Sequence, residues 1–236
     1  MPTDYLLGID IGQTTDPTAF ALAKHTEPVS LWDQPSFDIT HLDRMLKVAY
    51  PDQVERVVKL CTDIRARQQK EIQTGDKIGD LVVILDATGV GRAICDMFRR
   101  SALRQMKVRV IPVTFTSGHQ AHQLENGYWG VPKKDLAAAL AIMMESARLR
   151  ISKRLEHAKV LEEEIRNFHI KTNIATGYDA FEAWREGDHD DLVLAVAMIC
   201  WYGHRNPKYR KLAYEPPANQ FQRWKLFKHR IKQEEW

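Results

Sequence analysis

Asp10, Asp86 and the Asp188-His189-Asp190-Asp191 segment are the residues of this chain best placed to do chemistry. Asp10 lies inside Gly8-Ile9-Asp10-Ile11-Gly12, at the close of an apolar run. Asp86 ends Leu81-Val82-Val83-Ile84-Leu85 and opens Asp86-Ala87-Thr88-Gly89-Val90-Gly91. Asp190 and Asp191, within Gly187-Asp188-His189-Asp190-Asp191-Leu192, begin an apolar run that reaches Tyr202. A carboxylate at the end of a buried element is costly unless something cationic offsets it. Three such places point to a shared divalent metal site, and hence to phosphodiester hydrolysis. Mg or Mn takes oxygen ligands. Two ions about 4 Å apart can generate hydroxide on one side of a phosphodiester and stabilise the departing oxygen on the other. Asp10 is placed to bridge them, Asp86 to join if the two strands are neighbours, and Asp190 or Asp191 to close the site from the side. Asp188 and Asp191 are three apart, so both face one way if the helix begins early. Taken singly, Asp86 also reads as a turn residue, and Asp190 or Asp191 as a helix cap or dipole partner.

The elements that must position these acids follow from periodicity. Tyr5 to Ile11 is a short apolar run, a central strand. Ala19 to Lys24 is its hairpin partner after Thr14-Thr15-Asp16-Pro17, and Val29 to Ile39 supplies a third strand. Pro51 and Asp52 start a helix whose Val54, Val57, Val58, Cys61 and Ile64 form one buried face. Gln68 to Gly79 reads as an exposed loop. Leu81 to Leu85 has the continuous apolar character of a strand covered on both faces. A helix from about Arg92 to Leu103 and a strand from Val108 to Phe115 follow, which implies parallel neighbours with helices on the sheet. Thr116 to Pro132 reads as a mobile polar connection and Asp135 to Ile151 as a helix. Leu155, Ala158, Leu161, Ile165 and Phe168 mark a further helical face, and residues 169–187 read as a hairpin or loop. Asp191 to Tyr202 is a helix apolar all round, hence deeply packed.

Bulk properties set limits. The 236 residues, 44% hydrophobic and 28% charged, suit one sizeable domain over 1–203 with a basic, aromatic-containing tail over 204–236. The tail holds nine Lys/Arg against three Glu, so the rest of this +3 chain is slightly acidic and any nucleic-acid contact must be local. No run of about eighteen apolar residues occurs, and no signal pattern opens the chain, so a cytoplasmic protein is expected. Cys61, Cys95 and Cys200 are scattered and read as reduced core cysteines.

Other features carry weaker chemistry. Gly89 and Gly91 fit either a tight strand-to-helix turn or a backbone passing close to metal or phosphate. His119 and His122 have HxxH spacing without a third ligand. Lys133 and Lys134 begin a helix, where bases oppose the dipole; they read as a solvated start or as DNA phosphate contacts, and Arg92 joins them as a candidate. Arg148, Arg150, Lys153 and Arg154 suit a helix C-terminus. In the tail, Tyr209, Tyr214, Phe221, Trp224, Phe227 and Trp236 interleave with bases. That pattern fits nucleic-acid or partner contact, or an amphipathic helix packing on the body.

Leu6-Leu7-Gly8-Ile9-Asp10-Ile11-Gly12, Leu85-Asp86-Ala87-Thr88-Gly89-Val90-Gly91, Val131-Pro132-Lys133-Lys134-Asp135-Leu136 and Gly187-Asp188-His189-Asp190-Asp191-Leu192-Val193 together resemble the nuclease domain of phage large terminase subunits. That family is a branch of the RNase H-like superfamily. The resemblance implies an α/β fold: an RNase H-like, mixed five-stranded sheet with flanking helices. It implies Mg- or Mn-dependent cleavage of double-stranded DNA by two ions during genome packaging, in the host cytoplasm if the gene is a phage's. It makes Asp10 and Asp86 the first two acidic ligands and Asp191 the third, with Asp190 beside it, His189 and Asp188 accessory, and Lys133 a DNA contact. Complete large terminases carry a packaging ATPase, and this chain lacks G-x-x-x-x-G-K-[ST]. An excised domain or a free-standing gene product is expected, relying on a separate ATPase, small terminase subunit or portal.

Two other enzyme readings share residues with this one. Gly8 to Thr15 also matches the phosphate-holding strand and turn of sugar kinases, pantothenate kinases, actin and chaperone ATPases, but a later Gly-rich adenosine loop is missing. A Holliday-junction resolvase shares fold and acids. A degenerate, DNA- or capsid-binding relative is a non-enzymatic third.

Overall fold

Antiparallel pairing organises the first part of the chain into a meander of β1 (Tyr5–Asp10), β2 (Thr18–Thr26) and β3 (Ser36–Met45). The computed structural model describes residues 3–12, 16–26, 34–72, 78–89, 91–118, 120–174 and 190–209. Helix α1 (Tyr50–Glu71) crosses to β4 (Leu81–Asp86), which pairs parallel with β1. Helix α2 (Gly91–Arg100) then leads to β5 (Arg109–Thr116), parallel to β4. A short hairpin of β6 (His122–Gln123) and β7 (Trp129–Pro132) extends this side, with β7 parallel to β5. Helix α3 (Lys133–Glu145), β8 (Leu149–Ile151), α4 (Ala158–Ile174) and α5 (Asp191–Arg205) complete the described elements. The strand order is β6-β7-β5-β4-β1-β2-β3-β8. The expected five-stranded mixed sheet, β3-β2-β1-β4-β5, is thus the centre of a wider one.

Strand alternation divides the core into two layers. Tyr5, Leu7 and Ile9 of β1 and Leu81, Val83 and Leu85 of β4 pack with α1 and α2 through Val57, Cys61, Ile94 and Phe98. Leu6, Val82 and Ile84 face the other way, onto α3, α4 and α5. Every residue from Leu192 to Trp201 is buried, as an all-round apolar helix requires. Cys61, Cys95 and Cys200 are free and buried, and burial pushes the Cys61 and Cys200 thiols up to about 12. No helix among the described residues is long and apolar enough to cross a membrane.

Tertiary pairing overrides several local expectations. The third strand lies later than expected, at Ser36–Met45, and residues 29–33 of the expected one fall outside the described residues. Helix α1 runs through Gln68, which is buried and donates to the Thr3 carbonyl at 2.6 Å; it is not in an exposed loop. The expected loop 116–132 contains β6 and β7, because β7 finds a partner in the edge strand β5. The expected helix 135–151 stops at Glu145: Ala147 takes a left-handed φ of 51°, and Leu149 and Ile151 then pair with Phe37 and Ile39. This turn also removes Arg148 from the expected basic cluster. Its guanidinium is buried and donates to the Pro35 and Tyr209 carbonyls at 2.9 and 3.1 Å. Helix α4 extends to Ile174, into the segment read as a hairpin. Tyr209, at the start of the basic tail, is fully buried against His25 and Phe37. Beside it Lys208 pairs with Asp4 and Asp80 at 2.6 and 2.7 Å. The aromatic-basic segment from 210 onward lies outside the described residues.

Candidate active site

Asp10 is the last residue of β1 and Asp86 the last of β4. The parallel register that pairs Ile9 with Leu85 sets the two aspartates side by side at the carboxyl edge of the sheet. Crevices at that edge are where open α/β sheets take ligands. Both side chains share the face of Leu6, Val82 and Ile84, towards α5. The turn after β4 fixes Asp86 further. Its Oδ1 accepts the Thr88 N–H at 2.8 Å, and the Thr88 hydroxyl accepts the Phe115 N–H at 2.9 Å. Gly89 takes a left-handed φ of 58°, and a Cβ on Gly91 would lie 2.4 Å from the Asp86 carbonyl oxygen. These two glycines therefore serve the tight turn.

Gly8 brings in the third acid. A Cβ there would lie 2.0 Å from the Ala195 carbonyl oxygen, so α5 rests directly on the backbone of β1. Asp10 is two residues along the strand from this contact, and Asp191 four residues back along the helix. Those steps cover about 7 Å and about 6 Å, so contact at one glycine aligns Asp191 with Asp10.

The electrostatics agree. Burial, then the negative charge of Asp86, Asp191 and Asp190, holds the Asp10 carboxyl well above the usual carboxylate range; Lys133 opposes this. Burial lifts Asp86 to about 6, resisted by its hydrogen bonds to Thr88 and Asp10 and by the charge of Lys133. Asp10, Asp86 and Asp191 are each 7% exposed. Asp190 stands at the N-cap of α5 without a side-chain capping bond. Lys133 opens α3 at the carboxyl end of β7, the same edge, with its Nζ 5.6 Å from the Phe115 ring centroid. Lys134 is exposed beside it, and Arg92 is exposed on the first turn of α2 with its guanidinium 6.0 Å from the Tyr128 ring centroid. Asp188, His189 and His119 lie outside the described residues, and His122 is exposed on β6.

Two residues at this site escaped sequence reasoning. Arg44 belongs to the cross-strand row Asp10–Ala19–Arg44. The small Ala19 lets its guanidinium reach Asp191 Oδ2 at 3.1 Å. No sequence signal marks it. Glu164 on α4 is 5% exposed and accepts the Val193 N–H at 2.9 Å; burial first, offset in part by Val193 and Arg44, pushes it up to about 7. Its signal was available, since a charge at 164 interrupts the apolar stripe of Leu161, Ile165 and Phe168. Among the described residues, no three His, Cys, Asp or Glu side chains are gathered closely enough to cage an ion. Asp86 makes a side-chain hydrogen bond with Asp10, and Arg44 holds Asp191. Arg44→Met is expected to destabilise the metal-free protein by on the order of 2 kcal/mol, because Asp191 is left buried without its cation. An unchanged thermal melt would show the pair to be idle.

A central sheet of order 3-2-1-4-5 with acids at the ends of strands 1 and 4 and on the last helix defines the RNase H-like class. The chain belongs to the terminase RNaseH-like domain family, whose model matches residues 53–201 and so includes Asp86 and Asp191. The fold is also that of the human cytomegalovirus terminase nuclease domain. The Mn-soaked, inhibitor-bound structure of that domain is 14% identical at a TM-score of 0.52, over 87% of this chain and 84% of that one. The Mn-soaked structure is 15% identical at a TM-score of 0.50, over 84% and 82%. A comparison with curated proteins returns no match. The family makes this a terminase-type nuclease domain and sets aside the sugar-kinase-like alternative.

Proposed function

We propose that this domain is a Mg- or Mn-dependent endonuclease that cuts double-stranded DNA during genome packaging. The observation that supports this reading is the parallel register that sets Asp10 beside Asp86 at the carboxyl edge of the sheet, with Asp191 and Asp190 near enough to act on the Asp10 carboxyl through their charge. Their donors are all carboxylate oxygens, the set that suits hard divalent cations. The negative charge of Asp86, Asp191 and Asp190, which adds to burial in raising Asp10, is the field such a cation would neutralise. The residues present therefore fit a metal centre, with Asp10, Asp86 and Asp191 as ligands, Asp190 adjacent, and His189 and Asp188 accessory. Two ions, when bound, would supply a hydroxide nucleophile and stabilise the leaving oxygen.

The chain's own residues do the rest. Asp10, Asp86 and Asp191 would hold the cation in their ionised form, and Arg44, which now pairs with Asp191, carries five donors and a permanent charge that would suit a phosphate oxygen. Lys133, Lys134 and Arg92 lie along the same edge and hold the DNA backbone without reading its sequence. The nuclease domain is taken as 1–203 and the basic tail as 204–236. The proposed partners are double-stranded DNA and, for translocation, a separate packaging ATPase, small terminase subunit or portal, all in a host cytoplasm. The test is plasmid cleavage. The purified protein should nick or linearise supercoiled DNA in Mn or Mg and stop in EDTA. Plasmid left intact after long incubation in Mn would end the proposal.

A further inference from the structure

We propose that Glu164 is the positioning residue of the metal centre: it caps α5 from the neighbouring helix in place of Asp190, and so sets the direction in which Asp190 and Asp191 leave the helix start. The inference rests on the metal-site reading above. A helix start leaves its first amides without intrahelical partners, and an aspartate at the N-cap ordinarily folds its carboxylate back onto them. Asp190 holds that position in α5 and makes no such bond. The amides are met from elsewhere: Glu164 Oε2 accepts the Val193 N–H at 2.9 Å, and the Leu192 N–H also faces this carboxylate.

The arrangement is built rather than incidental. Glu164 is 5% exposed, and its Oε1 is buried with no hydrogen-bond partner among the described residues. A carboxylate so placed is expensive unless its position does something. Its position in the fold explains what. Helix α4 carries Glu164 one turn from Leu161 and one turn from Phe168, and both are locked in the core against α5. The carboxylate is therefore a fixed post on a rigid element. It holds Val193, two residues beyond Asp191, while the Gly8–Ala195 contact holds α5 two residues further on. Between them these two contacts fix the height and rotation of the helix start, and with it the direction of both aspartates relative to Asp10. A local cap by Asp190 would satisfy the same amides but would turn a candidate ligand away from the site.

The test compares Glu164→Met with Glu164→Gln in the full chain. Both keep the side-chain volume, which protects the fold; only Gln keeps a strong acceptor for the Val193 amide. Mn affinity is measured by isothermal titration calorimetry, and amide hydrogen exchange is followed across residues 190–200. Glu164→Met should weaken Mn binding by about 10-fold or more, the usual range for a group that orients ligands, and should speed exchange at Leu192 and Val193. Glu164→Gln should stay within about threefold of the parent affinity and keep the amides protected, because its carbonyl restores the hydrogen bond. Parent-like Mn affinity and exchange in Glu164→Met would overturn the inference, as would equal loss in both variants, which would make charge and not capping the cause. If the parent itself binds no Mn, the metal-site reading fails, and the exchange data alone then decide whether Glu164 caps the helix.

Discussion

Asp86→Asn is expected to abolish cleavage and, in the absence of metal at pH 8, to make the protein more stable. The two effects have one origin. Asp86 is buried beside Asp10, and burial pushes its carboxyl up to about 6 from an ordinary 3.8, against the pull of its hydrogen bonds to Thr88 and Asp10. A group whose pKa is raised by folding contributes stability that is complete below its unfolded value and lost as pH rises through the folded one. For Asp86 that loss runs from about pH 4 to about pH 6 and amounts to roughly 2–3 kcal/mol, since each unit is worth about 1.4 kcal/mol. An asparagine has no proton to lose, and its Oδ1 still accepts the Thr88 amide. The variant should therefore melt like the parent near pH 4 and roughly 5–10 °C above it at pH 8, given the usual conversion for a chain of this size.

Metal reverses the order. A cation that binds the folded parent raises its melting point in proportion to the logarithm of its excess over Kd, and the Asn variant lacks the ligand. Calorimetric melts at pH 4, 6 and 8, with EDTA or with Mn, separate the four cases. Cleavage should fall by at least on the order of a thousandfold, the scale of losing a preorganised charge at a reacting phosphate. A variant that cuts plasmid normally, or that is less stable than the parent at pH 8, would remove Asp86 from the centre. Asp10→Asn should behave in the same direction.

The parts of this site that could be read in the chain are those set by local pattern. An aspartate closing an apolar strand, another after Leu81 to Leu85, and a pair opening an all-apolar helix each announce themselves within about ten residues. Those elements formed where periodicity puts them, the helix running three residues past its expected end to Arg205. What could not be read is what depends on rows across the sheet. Arg44 lies in an unremarkable polar stretch, and only the pairing of Asp10 with Ala19 and of Ala19 with Arg44 brings its guanidinium to Asp191. The same limit hid β6, β7 and β8. Each is a short segment of two to four residues that is a strand only because an edge strand offers it a ladder. Arg148 shows the complementary error. A base near a helix end reads as a partner of the helix dipole, yet a left-handed Ala147 ends the helix early and turns Arg148 into the core, where two carbonyls receive it. Glu164 is intermediate: its burial was implied by helical spacing, but its partner, the start of α5, was not.

Gly8→Val should unfold the protein at ordinary temperatures, and Gly8→Ala should leave a folded but crippled nuclease. At Gly8 an added Cβ meets backbone, with the Ala195 carbonyl oxygen at 2.0 Å and its carbon at 2.9 Å, and Ile199 at 3.1 Å. Neither a rotamer change nor a local shift relieves such a clash; α5 must move off the sheet as a unit. The cost of forcing atoms into a packed core is typically about 1–3 kcal/mol, and here it should exceed that range because the obstacle is main chain at the centre of the buried face. Displacement of α5 by as little as 1 Å also carries Asp190 and Asp191 away from Asp10 and Asp86, and misplacement on that scale costs on the order of a hundredfold in rate. Gly203→Ala supplies the contrast. It lies on the same helix, far from the acids, and its added Cβ meets first the ring of Phe37, a side chain, at 2.5 Å. It should lower the melting point while leaving cleavage per folded molecule intact. Circular dichroism fixes the folded fraction, and plasmid cleavage in Mn at low temperature gives the rate. If Gly8→Ala, corrected for its folded fraction, cut as fast as the parent, then the alignment of Asp191 with Asp10 would not depend on the close approach of α5 to β1, and the geometric argument for the site would fail at its first step.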